Sequence, residues 1–68
     1  MEEPRIKVYG SETEITVAGN AAGLRNLGET LIGLADPEHR DGYHVHLEPG
    51  INLMDGSISL ILERDEEL

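Results

Sequence analysis

Polar and apolar positions alternate along Arg5-Ile6-Lys7-Val8-Tyr9, the period of a half-buried strand. Gly10-Ser11-Glu12 reads as a turn, and alternation resumes over residues 13–18 with Ile15 and Val17 inward. Together these two strands predict an antiparallel hairpin. Gly19 closes the second strand, and Asn20 suits a helix N-cap because its side chain accepts an otherwise unpaired backbone N–H. Leu24, Leu27, Leu31, Leu34 and Ala35 then recur on one face of a helix, which Asp36-Pro37 ends. A polar loop over 38–42 leads to a third strand over 43–48, stopped by Pro49-Gly50. Residues 51–56 form a loop whose Leu53 and Met54 either reach outward or cap the edge of the core. The last strand covers 57–63, with Ile58, Leu60 and Leu62 on one face.

The order β-β-α-β-β predicts an α+β fold, a two-layer sandwich with one helix packed on one face of a four-stranded, mainly antiparallel sheet. The fourth strand is the most apolar, which places it centrally in a sheet ordered 1-2-4-3; the order 1-2-3-4, with a right-handed crossover, is the alternative. The predicted core comprises Ile6, Val8, Ile15, Val17, Leu24, Leu27, Leu31, Leu34, Val45, Leu47, Ile58, Leu60 and Leu62. Gly23, Gly28 and Gly33 weaken the helix by about 1 kcal/mol each against alanine, so it should form only when its leucine stripe docks. Gly28, on or beside that stripe, is placed to allow close approach to the sheet; the pattern gives Gly23 and Gly33 no role. The 68 residues hold a single small domain, 1–68, with an ordered core over 4–63 and a frayed acidic tail over 64–68.

Charge narrows the partners. Fourteen Asp and Glu against five Lys and Arg give a net charge of -9. The resulting field repels nucleic-acid phosphates and anionic lipid, so neither nucleic acid nor membrane is expected as a partner. A basic protein is the natural complement, although the same charge also serves solubility alone. The longest apolar run, Leu60-Ile61-Leu62, is far short of the roughly 20 residues that span a bilayer. The opening Met1-Glu2-Glu3-Pro4-Arg5 lacks the basic-then-apolar order of a signal peptide. With no cysteine in the chain, a reducing cytoplasm is the expected location.

His44-Val45-His46-Leu47-Glu48 has the look of a chemical site. Alternate strand residues share a face about 7 Å apart, so both imidazoles and the carboxylate project together. Two His and one carboxylate are a usable metal set, which makes His44 and His46 weak metal candidates. Three collinear strand residues rarely converge on one ion, however, and the plainer reading is the solvent side of an amphipathic strand. No Gly-x-Ser-x-Gly elbow and no phosphate-binding glycine loop is present. The expectation is therefore a binding module and not an enzyme, with no cofactor and no bound metal.

Three stretches carry a family resemblance. They are Ile15-Thr16-Val17-Ala18-Gly19-Asn20-Ala21-Ala22-Gly23-Leu24-Arg25-Asn26-Leu27, then Gly42-Tyr43-His44-Val45-His46-Leu47-Glu48-Pro49-Gly50, and Gly56-Ser57-Ile58-Ser59-Leu60-Ile61-Leu62. A strand, a Gly-Asn-x-x-Gly-Leu helix start, a His-x-His-Leu strand and a closing Ser-x-x-Leu strand, in that order, resemble the immunity protein thirty-two family. Those are small bacterial proteins encoded beside polymorphic toxins. The resemblance implies an antitoxin-like protein that neutralises a cognate effector by binding it. The partner-binding residues expected from the residue pattern are Tyr9, His44, His46, Glu48, Asp55, Ile61 and Glu63, set on the open sheet face and its margins. Two rivals remain: a homodimeric structural or regulatory module that buries Tyr9 and Ile61 against its copy, and a weak metal-binding domain through His44 and His46.

Overall fold

The computed structural model describes residues 2–68. Its elements are β1 (Ile6–Gly10), β2 (Ile15–Gly19), α1 (Ala21–Leu34), β3 (His44–Leu47) and β4 (Leu60–Glu63). The element order and α+β class match the reading of the sequence. The sheet does not form as one: β1–β2 and β3–β4 are separate two-stranded antiparallel sheets.

The stretch over 54–58 explains the division. It runs beside β1, with the Met54 N–H donating to the Ile6 carbonyl and the Ile58 N–H to the Val8 carbonyl, both at 2.8 Å. Between these bonds the chain turns at Asp55-Gly56. Gly56 takes φ +82°, a left-handed conformation that suits glycine, and the Ser57 N–H closes the turn on the Met54 carbonyl at 3.2 Å. That turn interrupts the ladder, and the Ser57 hydroxyl, not a carbonyl, accepts the Val8 N–H at 3.1 Å. Two expectations are thereby corrected. The last strand begins at Leu60 rather than at Ser57, and β1, not β2, is the strand next to the segment that leads into β4.

Asn20 joins the hairpin to the helix. Its Oδ1 accepts the Gly23 N–H at 2.7 Å, the N-cap bond, and also the Arg5 N–H at 3.0 Å. Nδ2 donates to the Glu3 carbonyl at 2.8 Å, and the Asn20 backbone N–H donates to the Arg5 carbonyl at 3.2 Å. Gly23 is buried against this same segment: a Cβ there would overlap the Arg5 carbonyl and lie 2.8 Å from the Arg5 nitrogen. The glycine that the sequence pattern left without a role is thus where the helix closes on the segment leading into β1. Gly28, expected to fill that place, has open space around its Cβ position, as does Gly33.

Docking through Gly23 sets the phase of the helix. The line through Gly23, Leu27, Thr30 and Leu34 turns inward, while Leu24 and Leu31 rotate to a half-exposed flank. The core forms around Ile6, Val8 and Leu53, with Leu27, Leu47 and Leu60 packed against it. Ile15, Val17, Leu24, Leu31 and Ile58, all expected inside, are exposed. Leu53 enters the core because residues 48–53 fold into a compact turn. The Glu48 carbonyl accepts the N–H groups of Ile51, Asn52 and Leu53, and the Asn52 side chain accepts the Glu48 N–H at 2.6 Å.

These contacts predict opposite outcomes for helix glycines. Gly23→Ala should destabilise the fold by about 1–3 kcal/mol through overlap with the Arg5 backbone that leads into β1, whereas Gly28→Ala and Gly33→Ala should each stabilise it by up to about 1 kcal/mol. Urea unfolding followed by circular dichroism measures all three. Asn20→Ala should cost about 1–2 kcal/mol in the same assay.

Candidate functional site

The outer face of β3–β4 gathers most of the residues singled out in the sequence. Antiparallel register sets His44 opposite Glu63 and His46 opposite Ile61, and Val45 and Leu47 alternate to the other side. The two imidazoles meet edge to face with centroids 5.0 Å apart. His44 Nδ1 lies 3.1 Å from the Gly42 carbonyl, to which it donates, and His46 Nδ1 lies 4.0 Å from Glu48 Oε1. The second carboxylate oxygen of Glu48 accepts the Ser59 hydroxyl at 2.8 Å, bridging the two chain segments. Both members of the His46–Glu48 pair are well exposed, so their attraction is screened and contributes little to stability.

Tyr9 and Asp55 stand apart from this group. Tyr9 is half exposed on β1, opposite Thr16 in the other sheet, and Asp55 occupies the 54–57 turn with its carboxylate beside Gly50. Among the described residues, no three His, Asp or Glu side chains are arranged to hold a metal ion. What the β3–β4 face offers is an open surface with imidazole, carboxylate and hydroxyl groups around the half-exposed side chain of Ile61. Such a surface suits recognition of a protein: it has an apolar centre and polar, hydrogen-bonding edges.

Arg64 supports that face and was not among the residues picked from the sequence. Its Nη1 donates to the carbonyls of Asp36, at 2.7 Å, and His39, at 3.1 Å, while Nε and Nη2 hold the Glu66 carboxylate at 2.9 Å. Backbone bonds between Arg64 and both Tyr43 and Gly42, each 2.9 Å, extend the β3–β4 pairing by a further step. The Glu66 N–H donates to Asp41 at 2.8 Å. The loop over 36–43, where the His39 ring rests on Tyr43 at 4.4 Å, is thereby fixed to the end of β4. A signal for this role was present: Arg64 is the basic residue within the run Glu63-Arg64-Asp65-Glu66-Glu67. The loop lines an open concavity of about 490 Å³ over Glu38–His44.

The result is a small α+β domain with an open, solvent-facing β3–β4 face. Residues 14–65 match the model of the family Imm32, Immunity protein 32. The chain belongs to the immunity protein 32 family. No curated protein and no solved structure matches it. Among the described residues, no helix is long and apolar enough to cross a membrane.

Arg64→Ala should loosen the 36–43 loop and destabilise the domain by about 1–3 kcal/mol, since charge-assisted bonds to two carbonyls are lost. Amide hydrogen exchange should quicken at Gly42 and Tyr43. Arg64→Lys should restore little, because a single ammonium cannot span both carbonyls and Glu66.

Proposed function

We propose that this protein neutralises a cognate bacterial toxin by binding it directly in the cytoplasm, and that it does so without catalysis. The observation that carries this reading is membership of the immunity protein 32 family. Physical support comes from the surface. The chain carries a net charge of -9, and Glu48 and Glu63 flank His44, His46 and Ile61 on one open sheet face. A basic toxin would be drawn to that field, since opposite potentials accelerate encounter and disfavour wrong partners. Ile61 would supply the apolar contact at the centre, with Tyr9 and Asp55 at the periphery. Neutralisation then follows from occlusion: a nuclease, for instance, must present basic groups to its anionic substrate, and an acidic protein seated there excludes it.

Calorimetric titration of the purified effector with this protein tests the reading. Binding should be one to one and should weaken as salt rises. The combined substitution Glu48→Lys, Asp55→Lys, Glu63→Lys should raise Kd by about tenfold or more, and co-expression of that variant should fail to protect cells from the effector. Unchanged affinity in the triple variant would remove the assigned surface. An absence of binding by the native chain would remove the function itself.

A further inference from the structure

Among the described residues, a row of backbone groups along β2 is left unpaired. Its ladder with β1 is bracketed by the Ser11 N–H bonded to the Glu14 carbonyl at 2.8 Å and the Asn20 N–H bonded to the Arg5 carbonyl at 3.2 Å. Antiparallel pairs alternate between bonded and non-bonded. Thr16 and Ala18 therefore turn their N–H and C=O toward β1, while Ile15, Val17 and Gly19 turn theirs away from it. Among the described residues, β2 pairs with no strand other than β1. Edge strands are ordinarily protected by a charge, a proline or a bulge. The sequence Ile15-Thr16-Val17-Ala18-Gly19 has neither charge nor proline, and its register with β1 runs without a bulge.

The side chains beside this edge are equally bare. Val17 lies opposite Val8 in the register, so Val17 and Ile15 project on the side that holds the core. Nevertheless Ile15 is 54% exposed and Val17 37%. Leu24, whose methyl adjoins Gly19, is 49% exposed. A free strand edge and an uncovered apolar shelf thus lie side by side.

We propose that a second copy of this chain covers both, its β2 pairing antiparallel with this β2 about a two-fold axis through Val17. In that register Val17 meets its own copy and Ile15 meets Gly19 on either side. All the outward N–H and C=O groups of the strand then find partners. Each Ile15 falls opposite the residue without a side chain, next to the exposed flank of Leu24, and Thr16 falls opposite Ala18 on the other face. The edge itself gives a foreign basic strand no charge to recognise. The paired segment contains no carboxylate, and at its end Glu14 falls opposite the neutral Asn20. Two chains of charge -9 can meet here without opposing their acidic side chains across the strands. The interface is isologous, the same patch serving both chains.

Sedimentation equilibrium of the full chain tests the proposal. A monomer–dimer equilibrium should shift toward dimer between about 0.1 M and about 1 M sodium chloride, as the screening length falls from about 10 Å to about 3 Å and the general repulsion fades. Ile15→Lys, at a position already exposed in the monomer, should weaken the dimer by about tenfold or more with an unchanged circular dichroism spectrum. Without any substitution, exchange at the Ile15, Val17 and Gly19 amides should slow as protein concentration rises. A monomer under all these conditions overturns the proposal, as does a dimer that Ile15→Lys leaves intact or in which those amides stay unprotected. Protection that appears only when a different protein is added also overturns it, and assigns the edge to a partner's strand. Toxin binding weakens with salt whereas this dimer strengthens, so the two readings fail separately.

Discussion

The fold depends on the close contact between the start of α1 and the backbone at Arg5. Asn20 binds three stretches of main chain at once: the helix through Gly23, the lead into β1 through Arg5, and the N-terminal segment through Glu3. Only a residue without a side chain at Gly23 lets the helix come near enough for these bonds to form together. Because this contact sets the rotation of the helix, it also decides which leucines are inside. Leu27 and Leu34 turn toward the sheets, and Leu24 and Leu31 are left on the flank. A small domain that buries few large side chains completely relies on such polar closures, since its core alone supplies little surplus stability.

The second half of the chain is held by substitution of side chains for ladder bonds. Ser57 supplies an oxygen where a neighbouring strand would supply a carbonyl, and Asn52 and the Glu48 carbonyl wind the 48–53 segment until Leu53 meets Ile6 and Val8. Arg64 does the same for the loop after the helix. The β3–β4 face therefore rests on a hairpin supported from both ends. A fixed surface limits the ordering cost of binding, which fits a protein whose proposed work is to occupy another protein's surface.

Much of this was legible in the chain because it rests on local pattern. Alternation at Ile6 and Val8, the Asn20 cap, the leucine repeat and the His44–Leu47 strand each announce themselves within a few residues, and the element order follows. The split of the sheet was not legible, since Asp55-Gly56 reads as an ordinary loop until the bonds that Met54, Ser57 and Ile58 make to β1 on either side of it are seen. The rotation of the helix was hidden for a similar reason: periodicity counts leucines and cannot weigh a glycine that touches backbone. Ile15 and Val17 illustrate the limit most clearly. Their alternation correctly marks the core side of β2, yet says nothing about whether the helix extends far enough to cover them. At the site, the shared face of His44, His46 and Glu48 follows from strand period, while the pairing with Ile61 and Glu63 required the register. The role of Arg64 was not legible because its partners are carbonyls of a loop distant in sequence.

Two surfaces of different character emerge from the same fold. The β3–β4 face is polar, acidic at its margins and tied by hydrogen bonds at both ends; the β2 edge is uncharged. Assigning the first to the toxin and the second to self-association accounts for both without asking either to serve an ill-suited partner. The most direct measurement is backbone chemical-shift mapping of the isotope-labelled protein as unlabelled effector is added. The account predicts shifts centred on His44, His46, Glu48, Ile61 and Glu63, with β2 little changed. Shifts confined to Ile15–Gly19 and Leu24, with the β3–β4 face silent, would contradict it.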